Sequence, residues 1–297
     1  QGDAYSLMKD YALAAKQWGA DISLKPYVSD QKATDDFKDG KCEGLTSIGY
    51  RVRQFNNFTG SIDNFRQITS DSIARNVLGL MASPKLASKM VSGNTEIVGV
   101  SAFGMLYPMT NDRNMNNLAK LSGKRFGTLE FDDTQKETIQ KLGGIPIPTN
   151  LERIGTMFNS GKLDVIFLPA YGFQALDIAR SMGANGGIGD YPIAFITMQM
   201  IVRQDKFPEG YGQKSRTWVA AQLDRQFKNN KRLEDSIPSK YWVHLPDVDT
   251  KGYDRILREV RISFERTGEY NKQMASITKK ERCLKIPTNF ECTQNDE

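Results

Sequence analysis

The sequence has 297 residues, a length that predicts about two domains of ordinary size. Hydrophobic residues make up 39% and charged residues 25%, which excludes a disordered, collagen-like or low-complexity chain. The 40 Lys and Arg against 35 Asp and Glu give a net charge of +5 without any basic run, so nucleic acid is not an expected partner. The longest nearly uncharged stretch, 97–110, is shorter than the ~20 residues that cross a bilayer, and we expect a soluble protein.

Apolar periodicity predicts helices and strands that alternate along the whole chain. The first helix begins near residue 5, and the chain after Ser215 is mostly helical. The expected strands are 21–28, 43–48, 96–107, 124–130, 165–168 and 193–203. The expected helices between them are 31–39, 70–90 with a break at Ser83 and Pro84, and one capped by Asp133 or Thr134 that runs to Leu142. This alternation predicts mostly parallel sheets covered by helices, and the length favours two sheets over one.

The cysteines point to an oxidising compartment. Cys283 and Cys292 are separated by eight residues that include a proline, a spacing that suits a small disulfide-closed loop. Such a bridge contributes roughly 2.5–3 kcal/mol, and the alternative is a pair of reduced thiols. Cys42 is left over, either as a buried free thiol or as the partner of a cysteine outside this chain. No leader sequence opens the chain, so a signal peptide either never existed or has been removed, and the cysteines lead us to expect removal.

Familiar enzyme signatures do not fit the sequence. Segment 155–162 resembles a phosphate-binding loop, but five residues separate its glycines where four are needed, and Leu163 stands where Ser or Thr would hold magnesium. The single histidine, His244, lies far from any candidate nucleophile, and no Cys-x-x-Cys occurs. We therefore expect no catalytic residues, no metal and no cofactor, and an α/β enzyme is the less favoured alternative.

Several short motifs resemble the central region of periplasmic solute-binding proteins of TRAP (tripartite ATP-independent periplasmic) transporters. They are 37–44 (FKDGKCEG), 102–112 (AFGMLYPMTND), 117–127 (NLAKLSGKRFG), 142–148 (LGGIPIP) and 157–164 (MFNSGKLD). The resemblance covers most of residues 1–210. A narrower similarity, carried by 212–216 (GQKSR) and 288–292 (TNFEC), is to the AdeT-like proteins, solute-binding-type chains associated with efflux and aminoglycoside resistance.

The resemblance implies a two-lobed α/β fold of the type II periplasmic binding protein class with long C-terminal helices. We expect the first lobe to contain 1–104 and 192–245, and the second lobe 105–191 and 246–297. The implied protein is a periplasmic monomer and not an enzyme. It would capture a small solute in the cleft by hinge closure and present it to a membrane transporter. The alternative is an envelope adaptor, efflux-associated or drug-resistance protein without a cognate transporter.

The family's grip on carboxylates is missing from this sequence. TRAP binders of acids carry an arginine two residues after the lysine of a Gly-x-Lys-x-Arg motif, and it holds the acid in a bidentate fork. Aligning Gly123 with the motif glycine places Arg125 at the lysine and Gly127 at the arginine. Segment 165–168, polar in the family, is apolar here. The cleft therefore favours cationic or neutral polar solutes such as polyamines, aminoglycosides or basic amino acids, unless arginines elsewhere replace the fork.

Ligands of two-lobed α/β binders lie at the carboxyl ends of strands, which selects the candidate site residues. Each group also has a structural alternative: a solvated loop, helix caps, packing or a hinge. The candidates are Tyr50, Arg51 and Arg53 after one strand, Glu130, Asp132 and Asp133 after another, Tyr171 and Phe173 after a third, and Phe103 and Tyr107 where the chain crosses between lobes.

The start of the chain carries one further expectation. Lobes of this fold normally begin with a central strand before the first helix, but here that helix starts within about five residues of Gln1, too few for a strand at ~3.3 Å per residue. We expect a precursor with an additional strand, and a cysteine on it could pair with Cys42. The alternatives are a sheet that is one strand shorter and a simple buried thiol.

Overall fold

The computed structural model describes residues 3–294. Its helices are α1 (Asp3–Gln17), α2 (Asp30–Lys38), α3 (Gly49–Val52), α4 (Asn57–Gly60), α5 (Asp71–Leu80), α6 (Leu118–Leu121), α7 (Asp133–Lys141), α8 (Ile154–Asn159), α9 (Ala170–Ala175), α10 (Ile178–Met182), α11 (Tyr211–Ala221), α12 (Leu223–Asp235), α13 (Asp247–Thr267) and α14 (Lys272–Lys285). Its strands are β1 (Gly44–Ile48), β2 (Val91–Ser92), β3 (Thr95–Thr110), β4 (Arg125–Leu129), β5 (Ile145–Thr149), β6 (Val165–Leu168), β7 (Gly187–Gly189), β8 (Ala194–Arg203) and β9 (Trp242–Val243).

One long strand, β3, is shared by two halves of the molecule. The main strand order is β1-β8-β3-β6-β4-β5. The first part of β3 pairs with β8, and its last residues pair with β6 and β7. We call the half around β1, β8 and the start of β3 the first lobe, and the half around β4, β5, β6 and the end of β3 the second lobe. This arrangement confirms the predicted α/β fold with two lobes and long C-terminal helices.

The expectation of mostly parallel sheets is wrong for the strands that connect the lobes. β8 runs antiparallel to both β1 and β3, and β3 runs antiparallel to β6. A chain that enters the second lobe through β3 and returns through β8 must run in opposite directions in those two strands. Within the second lobe, β4 pairs in parallel with β5 and β6, as helical crossovers require.

The shared strand bends near the junction of the lobes. Its register against β8 shifts between Ile97 and Gly99 and again between Ala102 and Gly104. Gly104 has a φ of +135°, a backbone conformation that costs glycine little. Because irregular register bends and twists a strand, β3 turns here from the ladder of one lobe towards that of the other.

Each lobe has its own apolar core. In the first lobe, Ile73 of α5 packs against Ile97 and Ile201 of the sheet. In the second lobe, Phe158 of α8 packs with Ile166 of β6. All five side chains are almost completely buried. Burial of a side chain of this size contributes about 1.5–3 kcal/mol, so each lobe is held by its own apolar contacts.

The described residues also correct two of the predicted elements. Segment 21–28 forms no strand: Pro26 has no N–H to donate, and the Tyr27 hydroxyl donates to Asp36 Oδ2 at 2.7 Å. Side-chain contacts thus hold the segment in place of a ladder. The predicted helix 70–90 ends as α5 at Leu80, and a 3-10 helix, Pro84–Met90, follows the expected break.

The predicted disulfide between Cys283 and Cys292 is confirmed, with an S–S distance of 2.03 Å. Within the loop it closes, the buried Glu291 carboxylate accepts hydrogen bonds from Arg261 and Arg282, each at 2.8 Å. The disulfide therefore closes the loop that brings Glu291 to the guanidinium group of Arg261 on α13. Among the described residues Cys42 is a half-buried free thiol.

The C-terminal helices contact both lobes. α13 packs against α7 of the second lobe, whereas α14 packs against α5 of the first. The lobe boundaries at 104, 192 and 246 stay a prediction, and residues 1–2 and 295–297 of the predicted ranges lie outside the described residues. No helix within 3–294 is both long and apolar enough to cross a membrane.

Candidate functional site

The first-lobe side of the candidate site follows β1. That strand ends at Ile48, and the short helix α3 carries Tyr50 and Arg51, with Arg53 immediately after it. Tyr50 is 5% exposed and Arg51 is 4% exposed, so these side chains are part of the interior and not of a solvated loop. Tyr50 lies in an apolar cluster that includes Leu129 of the second lobe.

A buried carboxyl group fixes the start of α3. A Cβ at Gly49 would overlap the Asp63 carboxylate, which explains the glycine at this position. Asp63 accepts hydrogen bonds from the Thr197 hydroxyl at 2.6 Å and from the Thr197 N–H at 3.2 Å. Burial raises the pKa of Asp63 to about 8, although the bonds from Thr197 act in the opposite direction. The carboxyl group thus ties α3 to β8 beneath the site.

An ion pair joins the lobes at the site. Arg53 donates from Nη2 to Asp132 Oδ1 at 2.8 Å, and the two side chains are 14% and 0% exposed. The Arg53 guanidinium also lies 4.5 Å from the centre of the Tyr270 ring, a cation–π contact. Burial acts against the charged form of Arg53, but Tyr270 and Asp132 together raise its pKa above the ordinary value. Arg53 therefore carries a permanent charge between the lobes.

Asp132 has a second task as the N-cap of α7. Its Oδ1 accepts from the Thr134 N–H at 3.1 Å and from the Thr134 hydroxyl at 2.6 Å. Of the helix caps predicted here, Asp132 is confirmed, whereas Asp133 and Thr134 are wrong by one or two residues, because Asp132 keeps the extended backbone of an N-cap and Asp133 is already helical. The Thr134 hydroxyl in turn lies 3.2 Å from the Tyr270 hydroxyl.

Three polar atoms at this junction are buried without a hydrogen-bond partner among residues 3–294. They are Tyr50 Oη, Arg53 Nη1 and Asp132 Oδ2. Burial also raises the pKa of Tyr50 well above its usual value, so its hydroxyl stays protonated. Buried polar groups in proteins nearly always have partners, so atoms of this kind indicate where a ligand or ordered water binds.

An open cavity of about 580 Å³ reaches this cluster from the surface. Its volume lies within the range that is usual for small-molecule sites. Its wall combines the first lobe, the residue before Asp132 and the end of α13. The lining residues are Gln31, Lys38, Tyr50, Arg51, Arg53, Gln54, Asn57, Phe131, Thr267, Gly268 and Glu269.

Arg51 forms a second contact between the lobes. Its guanidinium lies 3.4 Å from the centre of the Phe131 ring, on the far side of the cleft. Its Nε donates to Asp30 Oδ2 at 2.7 Å, and Nη1 donates to Gln31 Oε1 at 2.8 Å. These bonds orient the side chain as a platform for Phe131, so Arg51 has fewer free donors for a ligand than Arg53.

Two of the predicted acidic residues lie away from the ion pair. Glu130 accepts a hydrogen bond from Arg153 at 3.0 Å at the surface. Asp133 is exposed in the first turn of α7. Of the three carboxylates expected after β4, the structure brings Asp132 alone to Tyr50 and Arg53.

The predicted aromatic residues form separate contacts. Phe103 lies 5.7 Å from Tyr171, ring centre to ring centre, and Tyr171 is 41% exposed. The Tyr107 hydroxyl donates to Glu234 at 3.1 Å. Phe173 is buried in the core of the second lobe. The structure thus places these four side chains outside the lining of the cavity that reaches Arg53.

Sequence reasoning missed Phe131 and Tyr270, and it considered Thr134 only as a helix cap. Phe131 lies between the predicted site residues Glu130 and Asp132, so its position in the sequence could have indicated it. Tyr270 comes from the loop after α13, 136 residues after Thr134, and no local motif marks it. Its role depends entirely on how α13 packs against α7.

Gly127, which the sequence aligns with the carboxylate-binding arginine of TRAP proteins, lies against apolar side chains. A Cβ at Gly127 would lie 2.9 Å from Leu163 Cδ1 and 3.3 Å from Ile166 Cγ2, closer than ordinary contacts. The neighbouring Arg125 is bound to Asp164, with Nη2 donating at 2.6 Å and Nε at 2.9 Å. Neither residue offers an anion grip in the cleft.

No group of three or more His, Cys, Asp or Glu side chains within 3–294 is arranged to hold a metal ion. The isolated His244 instead lies at the surface, where Nδ1 is 2.7 Å from Asp190 Oδ2. Hydrogen bonding to Asp190 raises the pKa of His244.

Comparison with known proteins gives one family over nearly the whole chain. A family model described as solute-binding protein AdeT 1/2 matches residues 4–297. The chain is 42% identical over 296 residues to the probable solute-binding protein AdeT1 of Acinetobacter baumannii, covering 100% of this chain and 97% of that protein. It is 25% identical over 235 residues to the probable solute-binding protein AdeT2 of the same organism, covering 78% and 98%.

Solved structures share the fold at low sequence identity. A TRAP periplasmic solute-binding protein from Haemophilus influenzae with bound L-gulonate superposes with a TM-score of 0.77 at 11% identity, covering 92% of each chain. One from Desulfovibrio salexigens with bound orotic acid gives 0.76 at 12% identity and 92% coverage of each. The ectoine-binding protein of a TRAP transporter from Halomonas elongata gives 0.75 at 11% identity and 95% coverage of each.

Proposed function

The chain belongs to the solute-binding protein AdeT 1/2 family, and we propose that it captures a small polar solute between its lobes at Tyr50, Arg53 and Asp132. The family and the solved proteins that share its fold are solute-binding proteins and not enzymes. The protein would act in the periplasm, as those solved relatives do, and hand its solute to a membrane transporter.

The observation that carries the proposal is the buried junction between the lobes. Arg53 of the first lobe and Asp132 of the second meet at 2.8 Å, and each has a buried polar atom without a partner among residues 3–294. A cavity open to solvent is lined by Tyr50 and Arg53 of the first lobe and by Phe131 of the second, and Asp132 contacts Arg53 just outside that lining. A ligand bound there contacts both lobes at once, which is what couples binding to closure.

Closure follows from that geometry. When the lobes separate, Arg53 and Asp132 are exposed to water and the solute can enter. When the lobes close around the solute, contacts to both sides favour the closed form by the difference in affinity between the two states. The bend of β3 near Gly104 supplies a place for the motion. A transporter can then distinguish the closed from the open protein.

The expectation of a cationic ligand loses part of its support. The preference for cationic or neutral solutes came from the missing arginine fork, and Glu130, Asp132 and Asp133 together would strengthen it, but Asp132 alone of these three lies at the junction. The absence of an arginine at Gly127 still disfavours the family's carboxylate grip. We therefore retain a small polar solute as the ligand class, with Arg53 and Asp132 both available to it.

The test is to look for the solute directly and then to remove its contacts. Native mass spectrometry of freshly purified protein should show a co-purifying small molecule, and that molecule should raise the melting temperature. At a hundredfold excess over Kd, a ligand stabilises the folded state by about 2.7 kcal/mol. Arg53→Gln should reduce affinity at least tenfold, whereas Arg153→Gln, a matched exposed arginine, should not. Equal affinity in the wild type and Arg53→Gln would place the site elsewhere.

A further inference from the structure

We propose that the solute is an amino acid, bound as a zwitterion with its carboxylate on Arg53 and its ammonium group on Asp132. This inference rests on the proposed function and deepens it by naming the ligand class. It is carried by three features of the junction: the kinds of hydrogen bond still available, the balance of buried charge, and the balance of charge in the cavity outside.

The hydrogen bonds that remain available require two kinds of group on the ligand. Arg53 already donates from Nη2 to Asp132, while Nη1 is buried with no partner among the described residues. Asp132 Oδ1 already accepts from Arg53 and Thr134, while Oδ2 is likewise buried without a partner within 3–294. A guanidinium nitrogen can only donate, and a carboxylate oxygen can only accept. A ligand that contacts both atoms must therefore bring one acceptor and one donor.

The buried charges require that the acceptor and donor be charged as well. Arg53 and Asp132 are almost fully withdrawn from water and neutralise each other. A ligand with a single charge would attract one of them and leave the other buried and incompletely paired, which is strongly unfavourable. A carboxylate and an ammonium group on one small molecule satisfy both, and the total charge of the closed site remains unchanged.

The cavity outside the ion pair has the same balance. Of the charged residues lining it, Arg51 is paired with Asp30 and Arg53 with Asp132. Lys38 and Glu269 supply one further charge of each sign. The approach to the site therefore favours neither an anion nor a cation. Its volume of about 580 Å³ is ample for an amino acid with a sizeable side chain, and Asp132 lies just outside its lining, in contact with the lining residue Arg53.

The experiment compares matched ligands on the wild-type protein. The twenty common L-amino acids are screened by thermal shift, and the best one is titrated by calorimetry beside its 2-hydroxy acid and its decarboxylated amine. These two analogues keep the side chain and lose one charged group each. We expect the amino acid to bind at least tenfold more tightly than either analogue.

Two variants then assign the charged groups. Asp132→Asn retains an N-cap oxygen for α7. It should lower the affinity for the amino acid at least tenfold and change the affinity for the hydroxy acid less than threefold. Arg53→Gln should lower the affinity for the amino acid by a similar factor and leave the affinity for the amine nearly unchanged. Asp133→Asn and Arg153→Gln serve as exposed controls. The comparison of ligands on the wild type decides the question even where a variant folds poorly.

The outcomes separate this inference from the proposed function. A hydroxy acid or an amine that binds as tightly as the amino acid overturns the zwitterion and leaves capture between the lobes intact. If no amino acid shifts the melting temperature and a solute of another class co-purifies, the zwitterion is again overturned and capture between the lobes again stands. If no solute co-purifies and no ligand of any class binds, both proposals fail.

Discussion

Replacing Asp63 with asparagine should abolish a loss of stability that the wild-type protein undergoes between about pH 5 and pH 8. The Asp63 side chain is completely buried under the start of α3, where burial raises its pKa from 3.8 to about 8. Its oxygens accept hydrogen bonds from the N–H and hydroxyl of Thr197. Asparagine retains an acceptor oxygen for those bonds but has no charge at any pH.

The magnitude follows from the two pKa values. In the unfolded chain Asp63 releases its proton near its ordinary pKa of 3.8, whereas the folded protein keeps that proton until about pH 8. The folded state therefore binds one more proton throughout this window, and its stability falls as the pH rises. The slope is about 1.4 kcal/mol per pH unit, or roughly 3–4 kcal/mol from pH 5 to pH 8. Above that window both states are ionised and the loss levels off.

The assay is urea denaturation of the wild type and Asp63→Asn at each pH from 5 to 9. The other ionisable groups are the same in both proteins, so the difference in free energy of unfolding isolates Asp63. We expect the free energy of unfolding of the variant, measured relative to that of the wild type, to rise by about 1.4 kcal/mol per pH unit up to pH 8. A difference that stays constant over this range would refute the argument, since it would mean that Asp63 is ionised in the folded protein throughout.

Two further predictions concern stability. Replacing both Cys283 and Cys292 with alanine should lower the free energy of unfolding by about 2.5–3 kcal/mol, because the bridge closes a short loop in the unfolded chain. Unchanged urea midpoints for the double variant and the wild type under non-reducing conditions would contradict this. Gly127→Arg, which restores the family's arginine, should destabilise the protein by about 1–3 kcal/mol or more through collision with Leu163, and should create no affinity for dicarboxylates. Tight succinate binding by a stable variant would show that this position faces the cleft after all.

Most strands of the fold could be predicted because their apolar residues are consecutive and local. Val165–Leu168 matches the expected strand 165–168, and Ala194–Arg203 differs from the expected strand by one residue. The alternation at 21–28 predicted a strand in the same way, yet no ladder forms there. Alternation shows only that two faces differ, and pairing requires a neighbouring strand edge, which depends on tertiary structure.

β5 was missed for the opposite reason. Its two prolines, Pro146 and Pro148, argue against a strand in a sheet interior because proline cannot donate a hydrogen bond. The structure places β5 at the end of the strand order, paired only with β4 on this path. At an edge, prolines at alternate positions can direct their missing donors away from the partner. Local sequence gives no indication of whether a strand is central or at an edge.

The candidate site could be predicted in part. The carboxyl ends of β1 and β4 identified Tyr50, Arg53 and Asp132, because strand ends of an α/β protein converge on the cleft. The same rule could not separate Asp132 from Glu130 and Asp133, since consecutive side chains after a strand point in different directions. Tyr270 escaped because its contact with Arg53 joins segments more than 200 residues apart.

Because β3 belongs to two ladders, the number of residues in it sets the position of the second lobe relative to the first. Side chains along a strand alternate between faces, so inserting one residue after Leu106 would turn Met109, now fully buried, towards the opposite face of the sheet. The same insertion would displace every pairing with β6 while the ladder with β8 kept its register. The second lobe would then be rotated and shifted relative to the first, and Asp132 would no longer meet Arg53. Variation in length is therefore expected in the surface turns of this protein, and a fixed residue count in β3.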